Sequence, residues 1–222
     1  MKYNALIAAL FITISAPSLA AINRVVDVKR PPNTVKSVKV FFTGVVTLNK
    51  VMSLSSVLDE IGQNYKSATQ VLLYISSPGG DIDAGKIGYQ VVKNSPIPVT
   101  TVNASSVESS ATMIYCGAQK RQVMGDSIFL LHAPTVGNAP RSNVSENMLD
   151  EKTEFTSRYR NVIKTIYQSC THLTDEQIEK ITYSEDNHKL LDNKQALATG
   201  IATGEMTDFQ PADAAYYIHD ND

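Results

Sequence analysis

Three short stretches of this chain hold groups that can act together on a carbonyl carbon. The first is YISSPGGDIDAG, residues 74–85, where an apolar run meets Ser-Pro-Gly-Gly and a helical pattern starts at once. Pro78 fixes the entry, and Gly79 and Gly80 allow backbone angles closed to other residues. With no side chain in the way, the Gly80 N–H can approach a ligand oxygen. The second is NASSVESSATMIYCGA, residues 103–118, which holds Ser105, Ser106, Ser109 and Ser110. A serine at a helix start is usually a cap, so residue type alone names no nucleophile. The third is IFLLHAP, residues 128–134, where His132 ends an apolar strand pattern. Taken alone, a histidine there reads as a capped structural group as readily as a base. Together, a serine hydroxyl, a base and two converging N–H groups make the set that acyl transfer needs: nucleophile, proton acceptor and oxyanion cradle. An acid that orients the base completes it. His172, His188 and His219 have no comparable setting.

These groups need elements to hold them. VKVFFTG, residues 38–44, reads as a strand ending in a turn. Leu54, Val57, Leu58 and Ile61 recur at helical spacing. VLLYI, residues 71–75, is too uniformly apolar for an edge strand. Residues 82–93 read as helix, 98–102 as strand, 109–116 as a short apolar helix and 128–131 as strand. A polar loop follows at 137–147, then a long helix at 148–169. Thr174 with Gln177 has the form of a capping box. Residues 193–199 read as a helix closed by Gly200, and the tail from Phe209 as an irregular edge. Strand and helix in alternation predict an α/β domain with mainly parallel pairing. In such folds helix starts gather at the strand ends and offer free N–H groups.

The remaining features bound the setting. The 222 residues are 43% hydrophobic and 19% charged, enough for a packed core. A net charge of −2 argues against nucleic acid or anionic membrane as the main partner. Residues 1–20 carry Lys2, an apolar run and Ser18-Leu19-Ala20, the pattern of a secretory signal peptide cut after Ala20. Cleavage would place the mature protein in the periplasm or outside the cell. Residues 21–37, polar and with Pro31-Pro32, are expected to be a flexible lead-in to a domain over 38–222. Cys116 and Cys170 can pair in an oxidising compartment or stay as buried thiols. No C-x-x-C occurs and the four histidines are scattered, so no metal site is indicated.

The stretches YISSPGGDIDAGKIGY, VNASSVESSATMIYCGAQKR and IFLLHAP resemble the proteolytic subunit of Clp protease, a serine peptidase. The resemblance spans about residues 38–202. It implies the ClpP/crotonase-like fold, repeated ββα crossover units with a long protruding helix. Laid on the family motifs without a gap, Gly80 falls on the oxyanion-hole glycine and Ser109 on the nucleophile, 109 − 80 = 29 positions later. Gly85 and Tyr89 match as well. His132 falls on the catalytic histidine, and the Ser110 N–H becomes the second oxyanion donor. Asp186 is the implied acid, with Glu185 and Asp192 open because a few residues are inserted before the family's last helix. The resemblance implies no cofactor, peptide or unfolded-protein substrates, and a homo-oligomer, hexameric or heptameric. An exported enzyme has no ATP, so no ATP-driven unfoldase is expected.

This chain departs from the family around the nucleophile. Glu108 puts a charge beside it, and Ser110 is a rival hydroxyl. The Ser-Ala-x-Thr run that follows is similar to a looser group of exported Clp-like proteins. Related peptidases on this fold use a Ser-Lys dyad, for which Lys152 is placed, although LDEKTEF reads as a solvated face. Two other classes stay open: an inactive scaffold, and an ester or thioester hydrolase using the same oxyanion hole.

Overall fold

The computed structural model describes residues 21–26, 31–135 and 146–220. The expected signal peptide and most of the expected loop at 137–147 lie outside them. Strand β2 (Ser37–Thr43) alternates, burying Val38, Val40 and Phe42. Its inward face receives α1 (Leu48–Asn64), whose Val51, Leu54, Val57, Leu58 and Ile61 form one buried stripe. Thr47 caps that helix by accepting from the Lys50 N–H. Strand β3 (Gln70–Ser77) buries residues 71–75 without a break, as a central parallel strand does. Helix α2 (Ile82–Lys93) follows it, capped by Asp81.

Strand β4 (Val99–Glu108) leads into α3 (Ser110–Cys116), every residue of which is buried. Then come β5 (Lys120–Met124), β6 (Ile128–Leu131), α4 (Glu146–Cys170), α5 (Asp175–Tyr183), β7 (Lys189–Leu191), α6 (Asn193–Ala198), β8 (Gly204–Met206) and β9 (Ala214–His219). The first strand, β1 (Ala21–Val26), pairs antiparallel with β9. The sheet order is β1-β9-β2-β3-β4-β5-β8, with β6 beside β4 and β7 beside β6. All other pairings are parallel except β6–β7, so the expected α/β domain with a mainly parallel sheet is what forms.

A bulge in β4 sets the geometry that matters. Ile75 pairs with Asn103, but Ser77 pairs with Val107. Two residues advance on β3 while four advance on β4, so β4 carries two extra residues between Asn103 and Val107. The side chain of Asn103 holds the bend: its amide donates to the Ile128 carbonyl at 2.7 Å, and its Oδ1 accepts from the Ser105 N–H at 3.2 Å. Before the bulge β4 pairs with β5, and after it with β6. One long strand is thereby handed from one neighbour to the next.

Three expectations about the chain ends and cysteines meet the structure here. The tail is no irregular edge: β9 lies between β1 and β2 and buries Tyr216 and Ile218. Tyr217 emerges on the sheet's other face and stacks on Phe41, which stacks in turn on Tyr74. Within residues 21–37, expected to be a flexible lead-in, the structure has β1 and a 3-10 turn at Pro32–Thr34. Cys116 and Cys170 form a disulfide joining the last turns of α3 and α4. Beside it the buried Arg121 guanidinium donates to the carbonyls of Ala118, Cys170, Gly200 and Ile201 at 2.7–3.1 Å. The capping box of Thr174 and Gln177 is present as the spacing predicts.

Candidate active site

The β4–β6 register brings the serine and the histidine together. Glu108 is paired with Leu130 in parallel, so Ser109 and His132 leave adjacent strand ends side by side. The Ser109 N–H donates to the Leu130 carbonyl at 2.9 Å and ties the two ends. Ser109 has φ 52° and ψ −128°, the one non-glycine residue with positive φ among those described. Such a conformation costs about 1–3 kcal/mol and persists only where the surroundings hold it. They do: the Ser109 carbonyl accepts from both the Thr112 N–H at 3.0 Å and the Thr112 hydroxyl at 2.6 Å. With its proton committed there, the Thr112 oxygen accepts from the Tyr167 hydroxyl at 2.9 Å. Burial raises the Tyr167 phenol to about 12, so it stays a donor at working pH. Helix α4 therefore braces the turn that presents Ser109.

The glycine turn closes on this serine. A Cβ on Gly79 would fall 2.6 Å from Ser109 Cβ and 3.1 Å from the Ser110 nitrogen, so only glycine lets the two turns abut. Gly80 is pinned by its neighbours: Val46 donates to the Gly79 carbonyl and accepts from the Asp81 N–H, at 2.8 and 3.0 Å. Among the described residues neither the Gly80 N–H nor the Ser110 N–H, the first of α3, has an acceptor. Gly80, Ser109, Ser110 and His132 line one small cavity of about 60 Å³. Its remaining wall includes Ile82, Met113, Ile163 and Tyr167.

Behind the histidine stands Glu185, not Asp186. His132 Nδ1 lies 2.8 Å from Glu185 Oε1. Topology explains the choice. Strand β7 runs antiparallel to β6, with Lys189 opposite Leu131, so the turn just before β7 lies next to His132. Asp186 sits in that same 3-10 turn but lines a separate surface depression. Asp192 follows β7, beside the far end of β6, and caps α6 by accepting from the Gln195 N–H. We expect Glu185→Gln to lower kcat/KM about ten- to a hundredfold and Asp186→Asn to change it less than about twofold. Peptide hydrolysis by the two purified variants decides between them.

The Clp protease family model matches residues 32–207, most of the chain. The chain belongs to the Clp protease family. The ATP-dependent Clp protease proteolytic subunit 3 of Rhizobium meliloti (strain 1021) is 24% identical over 177 residues, 79% of this chain and 86% of that protein. The ATP-dependent Clp protease proteolytic subunit 2 of Treponema denticola is 34% identical over 93 residues, 40% of this chain and 46% of that protein. Two solved structures share the fold. A mutant of ClpP1 from Listeria monocytogenes superposes with a TM-score of 0.64 at 19% identity, covering 77% of this chain and 91% of that one. A mutant of 1510-N, a membrane-bound stomatin-specific protease, gives 0.64 at 18% identity, covering 79% and 81%.

Within this Clp protease chain Ser110 lines the cavity, whereas Glu108 and Lys152 do not. Glu108 follows the buried Val107 on β4 and does not line the cavity. Lys152 lies in the first half of α4 and does not line it either. The element that sequence reasoning missed is the brace from α4. Tyr167→Phe leaves the Thr112 oxygen without its donor, a loss of about 1 kcal/mol of stability. We expect kcat to fall severalfold with KM little changed, because the lost hydroxyl acts on the position of Ser109 while the phenyl ring keeps the part of the cavity wall that Tyr167 supplies. Steady-state kinetics separates the two parameters.

Proposed function

We propose that this chain is an exported serine endopeptidase that cuts peptides or unfolded segments. The observation that carries the reading is the meeting of Ser109, His132, Gly80 and Ser110 around one cavity, with Glu185 against the histidine. Ser109 Oγ attacks the scissile carbonyl while His132 takes its proton, and the Gly80 and Ser110 N–H groups hold the oxyanion. The His132 proton then passes to the leaving amine. Water, deprotonated by His132, releases the acyl group from Ser109. Glu185 accepts a hydrogen bond from His132 Nδ1–H, which leaves Nε2 free to face the serine.

Export is supported by the leader pattern at 1–20 and by the Cys116–Cys170 disulfide, which suits an oxidising compartment. A homo-oligomer is supported by α4. Its last turns bury Ile163, Ile166, Tyr167 and Cys170 against the core, but Leu149 and Phe155 in the first half are each 54% exposed. A row of this kind suits a second copy of the chain, in a hexamer or heptamer as the family resemblance implies. The test is hydrolysis of an unfolded protein such as casein by the purified mature chain without nucleotide. Turnover that His132→Ala removes supports the reading. Ester or thioester turnover with no peptide cleavage replaces it, and an inert protein is the scaffold.

A further inference from the structure

Lys50 sits in the first turn of α1 and is only 1% exposed. Its ammonium donates to the Thr43 carbonyl, at the end of β2, and to Asp220 Oδ1 at 3.1 Å. Burial pulls the Lys50 pKa below its ordinary value, and the Asp220 carboxylate opposes that pull. The sheet brings the two together. Strand β9 runs parallel to β2 with Ile218 beside Phe42, so Asp220 emerges level with Gly44, where the chain turns towards α1. Gly44 has φ 82°, and a Cβ there would overlap the Asp220 carboxylate. Asp220 Oδ2 accepts from the next N–H, that of Val45, at 3.2 Å. Val45 is 46% exposed, so packing does little to hold it. A buried cation thus anchors a carboxylate, and the carboxylate anchors the turn at 44–46.

That turn aims the Gly80 N–H. Val46 is fully buried and donates to the Gly79 carbonyl at 2.8 Å. The Gly79 carbonyl and the Gly80 N–H belong to one peptide unit. In a trans peptide they point in opposite directions, so fixing the carbonyl on Val46 fixes the N–H away from it. The Val46 carbonyl accepts from the Asp81 N–H at 3.0 Å and holds the other side of Gly80. A Cβ on Gly80 would overlap that carbonyl, so the approach is already close. Gly80 in turn borders the cavity with Ser109 and His132.

We propose that Lys50 and Asp220 are positioning residues for the oxyanion N–H of Gly80, acting through Val45 and Val46. The proposal rests on the peptidase reading above. Neither side chain lines the cavity. Their effect falls on the tetrahedral state, whose oxygen needs the N–H at a fixed point, more than on ground-state binding.

The variants are Asp220→Ala and the double variant Lys50→Met/Asp220→Ala. The second removes the buried charge together with its partner, so no lone cation is left inside. Each should lower kcat for a peptide about tenfold with KM within about twofold, a displaced donor costing less than the roughly hundredfold or more of a missing one. Two inhibitors of one peptide sequence separate positioning from general damage. A peptidyl trifluoromethyl ketone takes the Ser109 oxygen on its carbonyl carbon. The carbonyl electron pair moves to its oxygen, which enters the oxyanion hole, and the serine proton goes to His132. The matching secondary alcohol fills the same groove and forms no bond. The ketone Ki should rise about tenfold in both variants, and the alcohol Ki should stay constant. An unchanged ketone Ki, an equal rise for ketone and alcohol, or loss of a cooperative thermal melt in both variants overturns the proposal. A wild type that cleaves peptide and binds the ketone, with variants that match it, sinks this proposal alone. A wild type that does neither sinks the peptidase reading with it.

Discussion

Ser109→Ala should lower kcat/KM for peptide substrates by at least about a thousandfold while leaving the fold intact. The size follows from the role. Without its hydroxyl the site keeps only the oxyanion N–H groups and substrate contacts, and serine hydrolases stripped of their nucleophile retain only a small residual rate. The stability change should stay within about 1 kcal/mol. The bonds that hold the strained turn run through the Ser109 N–H and carbonyl, and alanine keeps both. Kinetics together with a thermal melt checks this. Loss of activity with an unchanged melting temperature is expected. A variant that retains a tenth or more of wild-type activity places the nucleophile elsewhere, and Ser110 is the first residue to examine.

The second large effect is on stability. The disulfide closes a loop of 54 residues between the last turn of α3 and the last turn of α4. On the chain-entropy account a loop of that length stabilises by about 4 kcal/mol. Its position adds to the consequence. Cys170 also offers its carbonyl to Arg121 at 3.1 Å, and Tyr167, one turn earlier, braces Thr112. The double variant Cys116→Ala/Cys170→Ala should lose about 4 kcal/mol and melt roughly 10 °C lower. Denaturant unfolding of wild type, with and without a dithiol reductant, should show a parallel loss. Identical curves in both conditions would mean that the bridge adds nothing to the folded state.

Much of the scaffold was legible in local pattern. The unbroken apolar run of β3, the 82–93 helix and the Thr174 capping box each depend on neighbours in sequence, and each formed as read. What escaped depends on distant pairing. Strand β9 is only six residues long, and its place between β1 and β2 is set by partners far away in the chain. Its Tyr-Tyr-Ile run was the available signal. Strand β5 hides behind Lys120 and Arg121, because Arg121 is buried by carbonyls that no sequence pattern announces.

The site divides in the same way. Ser109, His132 and Gly80 sit at strand and helix ends, where position along the chain nearly determines position in space. The carboxylate does not. Glu185 and Asp186 are consecutive in one 3-10 turn, and only the antiparallel approach of β7 decides which of them meets the imidazole. The Tyr167 brace was invisible for a related reason, since it needs the crossing of α4 over α3.

The central claim is that Ser109 is an activated nucleophile. Its most direct test is to incubate the mature protein with a fluorophosphonate at neutral pH, digest it, and locate the adduct by tandem mass spectrometry. The account predicts a single adduct on Ser109 that disappears in His132→Ala. An adduct on Ser110 or on another residue, or an unmodified chain under conditions that label a control serine hydrolase, would contradict it.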